Sequence, residues 1–182
     1  MKPLFTVHAG EYIVGSHIEK KFPRLNIWVP VKDTGIDLLV SNEANTNTVS
    51  LQVKTSRDFL TTHVREEFQK SLRSCGWWNL NRDKIKTSTA DYCIFLIVRS
   101  TTKNDFILIK PKELLDRLNT IHGQLSRIQT YLWVTEKGEC WETRGLTVPD
   151  QRLIMDGQFS SNPSRDFKTH LEGWGPIADL DN

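Results

Sequence analysis

The sequence predicts an α/β fold in which helices flank a mixed β-sheet, and three observations lead to this class. Within residues 35–54, two alternating apolar runs enclose a cluster of turn-forming residues at 42–47, which predicts a β-hairpin. Residues 90–98 are almost all apolar, as is typical of a strand covered on both faces. Apolar residues at helical spacing in 6–22 and 111–122 predict the flanking helices.

Each further element follows from the same kinds of pattern. Pro23 ends the first helix, and Gly76 is the expected stop signal of a helix whose apolar side carries Val64, Phe68, Leu72 and Cys75. From residue 145 onward the sequence is irregular. In chain order we expect helix 6–22, strand 26–31, the hairpin strands, helix 62–75, strand 90–98, strand 105–110, helix 111–122, a hairpin at 131–143 and a short helix at 164–171.

Length and composition indicate one globular domain. The chain has 182 residues, of which 38% are hydrophobic, enough for a substantial core. We expect one α/β domain at 1–145 and an irregular C-terminal extension at 146–182 packed on it. Three cysteines without a C-x-x-C pair argue against a zinc site and a disulfide framework, and they fit a reducing cytoplasm. No apolar run reaches membrane-spanning length, so we expect no membrane partner.

The two faces of the predicted hairpin differ in character. If the turn is centred between Ala44 and Asn45, Asp37 lies directly opposite Gln52. Side chains alternate along a strand, so one face is apolar and is assigned to the core. The other face is polar and carries Asp37, Ser41, Ser50, Gln52 and Lys54.

The polar face has two interpretations: a chemical site, or the ordinary solvated surface that any half-exposed hairpin has. Directly opposed residues have Cβ atoms about 5 Å apart, so a carboxylate, a carboxamide and an ammonium group would meet here. Mg2+ prefers oxygen ligands and needs only one or two protein carboxylates, while a neighbouring lysine can orient a water. The residue pattern by itself leaves both interpretations open.

The order of these residues resembles the PD-(D/E)XK nuclease superfamily, which has the restriction-endonuclease-like fold. Gly35-Ile36-Asp37 stands for the first motif of that family and Gln52-Val53-Lys54 for the second. Ile36 replaces the usual proline, and Gln52 replaces the usual acid. The resemblance covers about the first two-thirds of the chain, and it implies a core in the order α-β-β-β-α-β.

The resemblance also implies a metal-dependent phosphodiesterase that cleaves DNA with Mg2+ or Mn2+. In that mechanism Asp37 anchors the metal, the Gln52 side chain and the Val53 backbone carbonyl add ligands, and Lys54 positions the attacking water. A homodimer would suit cleavage of both strands of a duplex. Two alternatives stay open: a nuclease-like module that binds DNA or protein without hydrolysis, and a nuclease that acts on RNA.

Glu11 lies on the apolar stripe of the first helix, where a carboxylate is costly unless it is paired or bound to metal. We consider Lys54 or a cation as its partner, and in related nucleases a first-helix glutamate often completes the site. The alternative is a rim residue in the first turn, stabilised by the helix dipole.

A basic segment follows the second motif directly. Between Lys54 and Lys86 there are eight Lys or Arg residues and four acids, which would suit contacts with phosphates. We select Arg57, Arg65, Lys70 and Arg73 as the candidate DNA contacts. A solvated helix face gives a similar count. Of the adjacent Trp77 and Trp78, we assign at least one to the core.

Overall fold

The computed structural model describes residues 9–32, 34–100 and 103–181. Its α-helices are α1 Ala9–Lys21, α2 Leu60–His63, α3 Glu66–Gln69, α4 Arg82–Lys86, α5 Pro111–His122, α6 Val148–Asp156 and α7 Gly175–Ala178. Two 3-10 turns span Pro163–Arg165 and Lys168–His170. None of the helices in these ranges combines the length and the apolar character needed to cross a membrane.

Eight strands form two sheets within the described ranges. The strands are β1 Asn26–Trp28, β2 Leu38–Ser41, β3 Thr48–Arg57, β4 Leu72–Asn81, β5 Tyr92–Val98, β6 Asp105–Ile109, β7 Arg127–Thr135 and β8 Cys140–Glu142. The first sheet has the order β1-β2-β3-β5-β6, and its β3–β5 pair is parallel while the other pairs are antiparallel. The second is antiparallel, in the order β4-β7-β8. The predicted α/β class with a mixed sheet is confirmed.

The hairpin between β2 and β3 has the predicted register. Leu38 pairs with Leu51 and Val40 with Val49, which centres the turn between Ala44 and Asn45. Asn45 adopts a positive φ of 57°, a conformation that asparagine tolerates well. The side chain of Asn42 accepts hydrogen bonds from the backbone N–H groups of Thr46 and Asn47. These local bonds explain why the chain turns here.

The five-stranded sheet is covered on both faces. On one face, α1 contributes Val14 and Ile18, which pack with Val40 and Leu51. On the other face, Phe95 packs against residues of the second sheet such as Leu132. Residues of the C-terminal segment reach both clusters: Trp174 and Ile177 lie on the α1 side, and Phe167 lies on the other.

The predicted helix at 62–75 is wrong. The segment instead forms α2, α3 and the start of β4, whose residues pair with β7 from Leu72 to Asn81. Gly76 lies inside this strand, where an added Cβ would come within 2.2 Å of the Trp78 ring. The four apolar residues chosen for the helix do form one cluster with Trp133, because β7 offers them a surface to cover. Trp78 is buried in the core, as expected for at least one of the two tryptophans.

The C-terminal segment also differs from the prediction. Helix α6 lies in a region that we left irregular, although it begins with a capping box between Thr147 and Asp150 and ends at Gly157 with a φ of 73°. The helix predicted at 164–171 is instead two 3-10 turns. Pro163 lies in the first of these turns, which is capped by the Asn162 side chain accepting the Ser164 N–H.

Candidate functional site

Asp37 lies at the point where β2 and β3 separate. Strand β2 begins at Leu38, opposite Leu51, whereas β3 continues to Arg57. The Asp37 N–H donates to the Leu51 carbonyl at 2.8 Å, and the Val53 N–H donates to Asp37 Oδ2 at 2.8 Å. The Asp37 carboxylate therefore accepts the β3 hydrogen bond that the backbone of a paired strand would accept. This bond fixes the orientation of the carboxylate.

Gln52 and Lys54 share one face of β3. In the parallel ladder Gln52 is level with Cys93 and Lys54 with Phe95, and partners in a ladder point to the same side. The Cys93 thiol contacts Gln52 Oε1 at 3.8 Å, and Gly35, with a φ of 83°, adjoins the Gln52 amide. The two motif segments thus meet in space.

The Cys93 thiol lies near both charged groups. Burial is the main cause that raises the pKa of Cys93 to about 11; the Lys54 ammonium acts to lower this pKa and the Asp37 carboxylate to raise it. Both charged groups are therefore close enough to act on the same buried sulfur. All three cysteines are free and buried.

Glu11 approaches β3 from the other side. It is only 5% exposed and lies in the first turn of α1. Its neighbour Gly10 lies against Thr55, where an added Cβ would come within 1.8 Å of the hydroxyl. Thr55 and Lys54 are consecutive strand residues, so their side chains leave opposite faces. The geometry brings Asp37, Gln52 and Lys54 together on one face and leaves Glu11 on the α1 side.

An open cavity of about 370 Å³ adjoins Lys54. Besides hydrophobic groups, the described residues that line it are Lys54, Thr55, Asn79, Asn81, Lys84 and Arg127, and they include no carboxylate. Arg127 lines the cavity because β7 pairs with β4, and this pairing places Arg127 opposite Asn81. We did not predict Arg127, since only the β4–β7 pairing brings it near Lys54.

The four predicted DNA contacts do not line this cavity. Arg73 forms an ion pair of 2.6 Å with the buried Asp105, so it has a structural partner. Arg57 lies over the Phe59 ring at 4.7 Å, and Arg65 and Lys70 are exposed. Their role in binding DNA stays a prediction.

The candidate metal ligands are oxygen donors of mixed charge. Asp37 offers a carboxylate, Gln52 a carboxamide oxygen and Val53 a backbone carbonyl, and such a set suits a hard cation that keeps several waters. Across residues 9–32, 34–100 and 103–181, no three His, Cys, Asp or Glu side chains group closely enough to hold a metal ion. A site here would therefore depend on neutral oxygens as well as on carboxylates.

A second polar cluster, which sequence reasoning missed, surrounds Glu142 on β8. Glu142 is fully buried, and Arg165 donates to its Oε2 at 2.5 Å. Its Oε1 accepts from Thr130 at 3.2 Å and lies 3.1 Å from His122 Nε2. We call these four residues the Glu142 cluster. The Glu142 carboxylate is bonded by side chains from three other elements, α5, β7 and the turn Pro163–Arg165, which is the arrangement of a structural ion pair.

No family model matches this sequence, and no curated protein is significantly similar to it. The class of protein must therefore be argued from the geometry of the chain itself.

Proposed function

We propose that the protein is a metal-dependent phosphodiesterase that cleaves DNA. The observation that carries the proposal is the common position of Asp37, Gln52 and Lys54 at the edge of β3, beside a cavity with cationic walls. A carboxylate and a lysine at a strand edge, open to a polyanion, suit hydrolysis of a phosphodiester.

We also propose that the core is restriction-endonuclease-like. The order of α1, β1, β2 and β3, followed by β5 parallel to β3, supports this assignment. Strand β4 and the short helices α2, α3 and α4 stand where that family has a single crossover helix. Because β4 pairs with β7 instead of joining the first sheet, this replacement leaves the β3–β5 pair intact.

In the proposed reaction each residue has a separate task. Asp37, held by the Val53 N–H, would bind Mg2+ or Mn2+ together with the Gln52 side-chain oxygen and the Val53 carbonyl. The bound ion supplies Lewis-acid polarisation of the phosphate. Lys54 orients the attacking water through its ammonium group. Glu11, which we predicted as a further ligand, lies on the α1 side of the sheet, so it would add negative charge through water and not as a direct ligand.

The cavity supports a polyanionic substrate. Lys54, Lys84 and Arg127 can contact successive phosphates, and the carboxamides of Asn79 and Asn81 can donate to phosphate oxygens. Lys84 and Arg127 form no salt bridge with another residue of the described ranges, so their charge is available to a substrate. This arrangement supports the proposal that DNA binds along the β4–β7 side of Lys54.

A nuclease-like module that binds DNA without hydrolysis is the second candidate. It is favoured by Gln52, which contributes no negative charge at the position of the family's acid. The same cationic cavity would serve this function.

Cleavage assays test the proposal. Supercoiled, linear and single-stranded DNA, and RNA, are incubated with Mg2+, Mn2+ or a chelator. We expect metal-dependent cleavage of DNA, and a loss of at least about a hundredfold in Lys54→Ala, since removal of one positioned hydrogen-bond donor typically costs about 10²–10³ in rate. Lys112→Ala on α5, a lysine that does not line this cavity, is the matched control and should cleave normally.

Three outcomes would contradict the proposed function. Equal cleavage by wild type and Lys54→Ala would mean that the site is elsewhere. Binding of DNA without cleavage, with a salt dependence that falls by about one for each of Lys84→Gln and Arg127→Gln, would favour the silent module. Cleavage restricted to RNA would change the substrate class.

A further inference from the structure

A second open cavity, of about 260 Å³, adjoins the candidate catalytic cavity, and the two share Asn79 and Arg127 as lining residues. The described residues that line the second cavity also include Leu125, Gln129 and Arg144, and none of them is a carboxylate. We call these five residues the β4–β7 groove. The groove therefore extends the cationic surface away from the candidate catalytic residues.

The pairing of β4 with β7 turns two carboxamides of the groove outward. Asn79 lies directly opposite Gln129, so the two side chains are neighbours on one face of the second sheet. The adjacent Leu80 and Ile128 point the other way, into the core. Asn79 is exposed and Gln129 is half-buried, and neither side chain bonds to another residue of the described ranges. Their donors and acceptors are therefore open to a ligand.

Two arginines lie on either side of this carboxamide pair. Along β7 the outward residues are Arg127, Gln129 and Tyr131, which span roughly 13 Å at the usual rise of a strand. The Arg144 guanidinium lies over the Tyr131 ring, 5.7 Å from its centre. Neither arginine forms a salt bridge within the part of the chain that the structure describes. Both guanidinium groups can therefore donate to the phosphates of a ligand.

The groove also has an exposed apolar side chain. Leu125 is 57% exposed, whereas most large apolar residues of the described chain are buried. The neighbouring His122 is engaged by Glu142 at 3.1 Å, so it already has a structural partner. An apolar side chain beside free carboxamides suits a nucleobase, which is apolar on its faces and polar at its edge.

We propose that the β4–β7 groove binds an unpaired stretch of the DNA strand beside the scissile phosphate, so that the substrate is single-stranded at this point. The inference rests on the proposed function, which places that phosphate at Lys54. The two arginines bind phosphates, the two carboxamides bond to the edge of a base, and Leu125 contacts its face. A duplex keeps these base edges paired, so it would leave the carboxamides and Leu125 unused.

Binding is measured by fluorescence anisotropy with the full chain in the presence of a chelator, so that the result does not depend on metal or on cleavage. The probes are a labelled 12-residue thymidine oligonucleotide, the same oligonucleotide paired with its complement, and a 12-residue oligomer of abasic deoxyribose phosphates. We expect the single strand to bind at least about tenfold tighter than either other probe, because it alone offers both phosphates and free base edges.

Two variants separate contacts with bases from contacts with phosphates. The double variant Asn79→Ala/Gln129→Ala should lose the roughly tenfold preference for the single strand over the abasic oligomer, while its affinity for the abasic oligomer stays unchanged. Arg144→Gln should weaken binding of both, and it should lower the salt dependence by about 0.7, the value for one phosphate contact of a single strand. Gln158→Ala and Arg152→Gln, at exposed positions outside the groove, are the matched controls and should bind like wild type.

The outcomes keep this inference distinct from the proposed cleavage. Duplex DNA that binds as tightly as the single strand, a double variant that keeps its preference for bases, or an unchanged salt dependence in Arg144→Gln would overturn the inference and leave cleavage at Lys54 untouched. The expected binding without any cleavage in Mg2+ or Mn2+ would instead overturn the proposed hydrolysis and support the groove as a surface for single strands.

Discussion

Asp37, which directly precedes β2, and Glu142 on β8 are both carboxylates beside a sheet, but their surroundings differ. Glu142 is fully buried, and its oxygens are engaged by Arg165, His122 and Thr130. Asp37 is only partly buried, and it lies at a strand edge where one of its oxygens accepts the Val53 N–H. The comparison teaches that burial, rather than residue type, separates a structural carboxylate from a candidate ligand.

The physical reason lies in desolvation. A carboxylate that is removed from water needs a counter-charge and hydrogen bonds, and these then hold it in place. A carboxylate at an accessible edge keeps contact with water and can exchange that water for a cation. Variants of the two residues should therefore separate loss of stability from loss of activity.

The largest effect is expected for Glu142→Gln. The substitution keeps the shape of the side chain but leaves the buried Arg165 without its counter-charge, which typically destabilises by about 3–5 kcal/mol. For a chain of this size the melting temperature should fall by roughly 6–20 °C in thermal unfolding followed by circular dichroism.

Glu136→Gln, at an exposed position of the same hairpin, is the control and should melt within about 2 °C of wild type. If Glu142→Gln melted as the control does, the Glu142 cluster would not stabilise the fold and the contrast with Asp37 would disappear.

Asp37→Asn, in contrast to Glu142→Gln, should leave the stability of the fold almost unchanged. The asparagine oxygen can still accept the Val53 N–H, so we expect a change of less than about 1 kcal/mol in the free energy of unfolding. The loss of the negative charge should lower metal-dependent cleavage of DNA by at least about a hundredfold. A stable variant with full activity would remove Asp37 from the site.

Gln52→Glu is expected to have the smallest effect, and it should strengthen metal binding where the other substitutions weaken it. A second negative oxygen should tighten Mg2+ or Mn2+ binding by about tenfold in titration calorimetry, because hard cations favour charged oxygen ligands. Turnover need not rise, since the new carboxylate can also pair with Lys54. Asp37→Ala and Glu11→Gln are measured beside it as the variants that should weaken binding.

The comparison would change under two results. Metal binding that is unaffected by all three substitutions would mean that no cation site exists at the strand edge. Binding that occurs only in Gln52→Glu would favour the module that lacks hydrolysis.

The sequence by itself determined the elements whose signals are local. Alternation on both sides of residues 42–47 was enough to predict the register that pairs Leu38 with Leu51, because a shift by one residue would expose the whole apolar face. The apolar stripe and the following proline predicted α1, and the helical spacing of apolar residues in 111–122 predicted α5. The shared face of Asp37, Gln52 and Lys54 follows directly from that register.

Only the tertiary structure decided the features that depend on distant partners. Leu72 and Cys75 fit a helical spacing, but they belong to β4 because β7, more than fifty residues later, supplies the hydrogen bonds of a strand. The same pairing brings Arg127 toward Lys54. Glu142 and Arg165 are far apart in sequence, so no local pattern reveals their ion pair. Local periodicity fixes a segment's preference, and the energy of non-local pairing and burial decides where that preference is overridden.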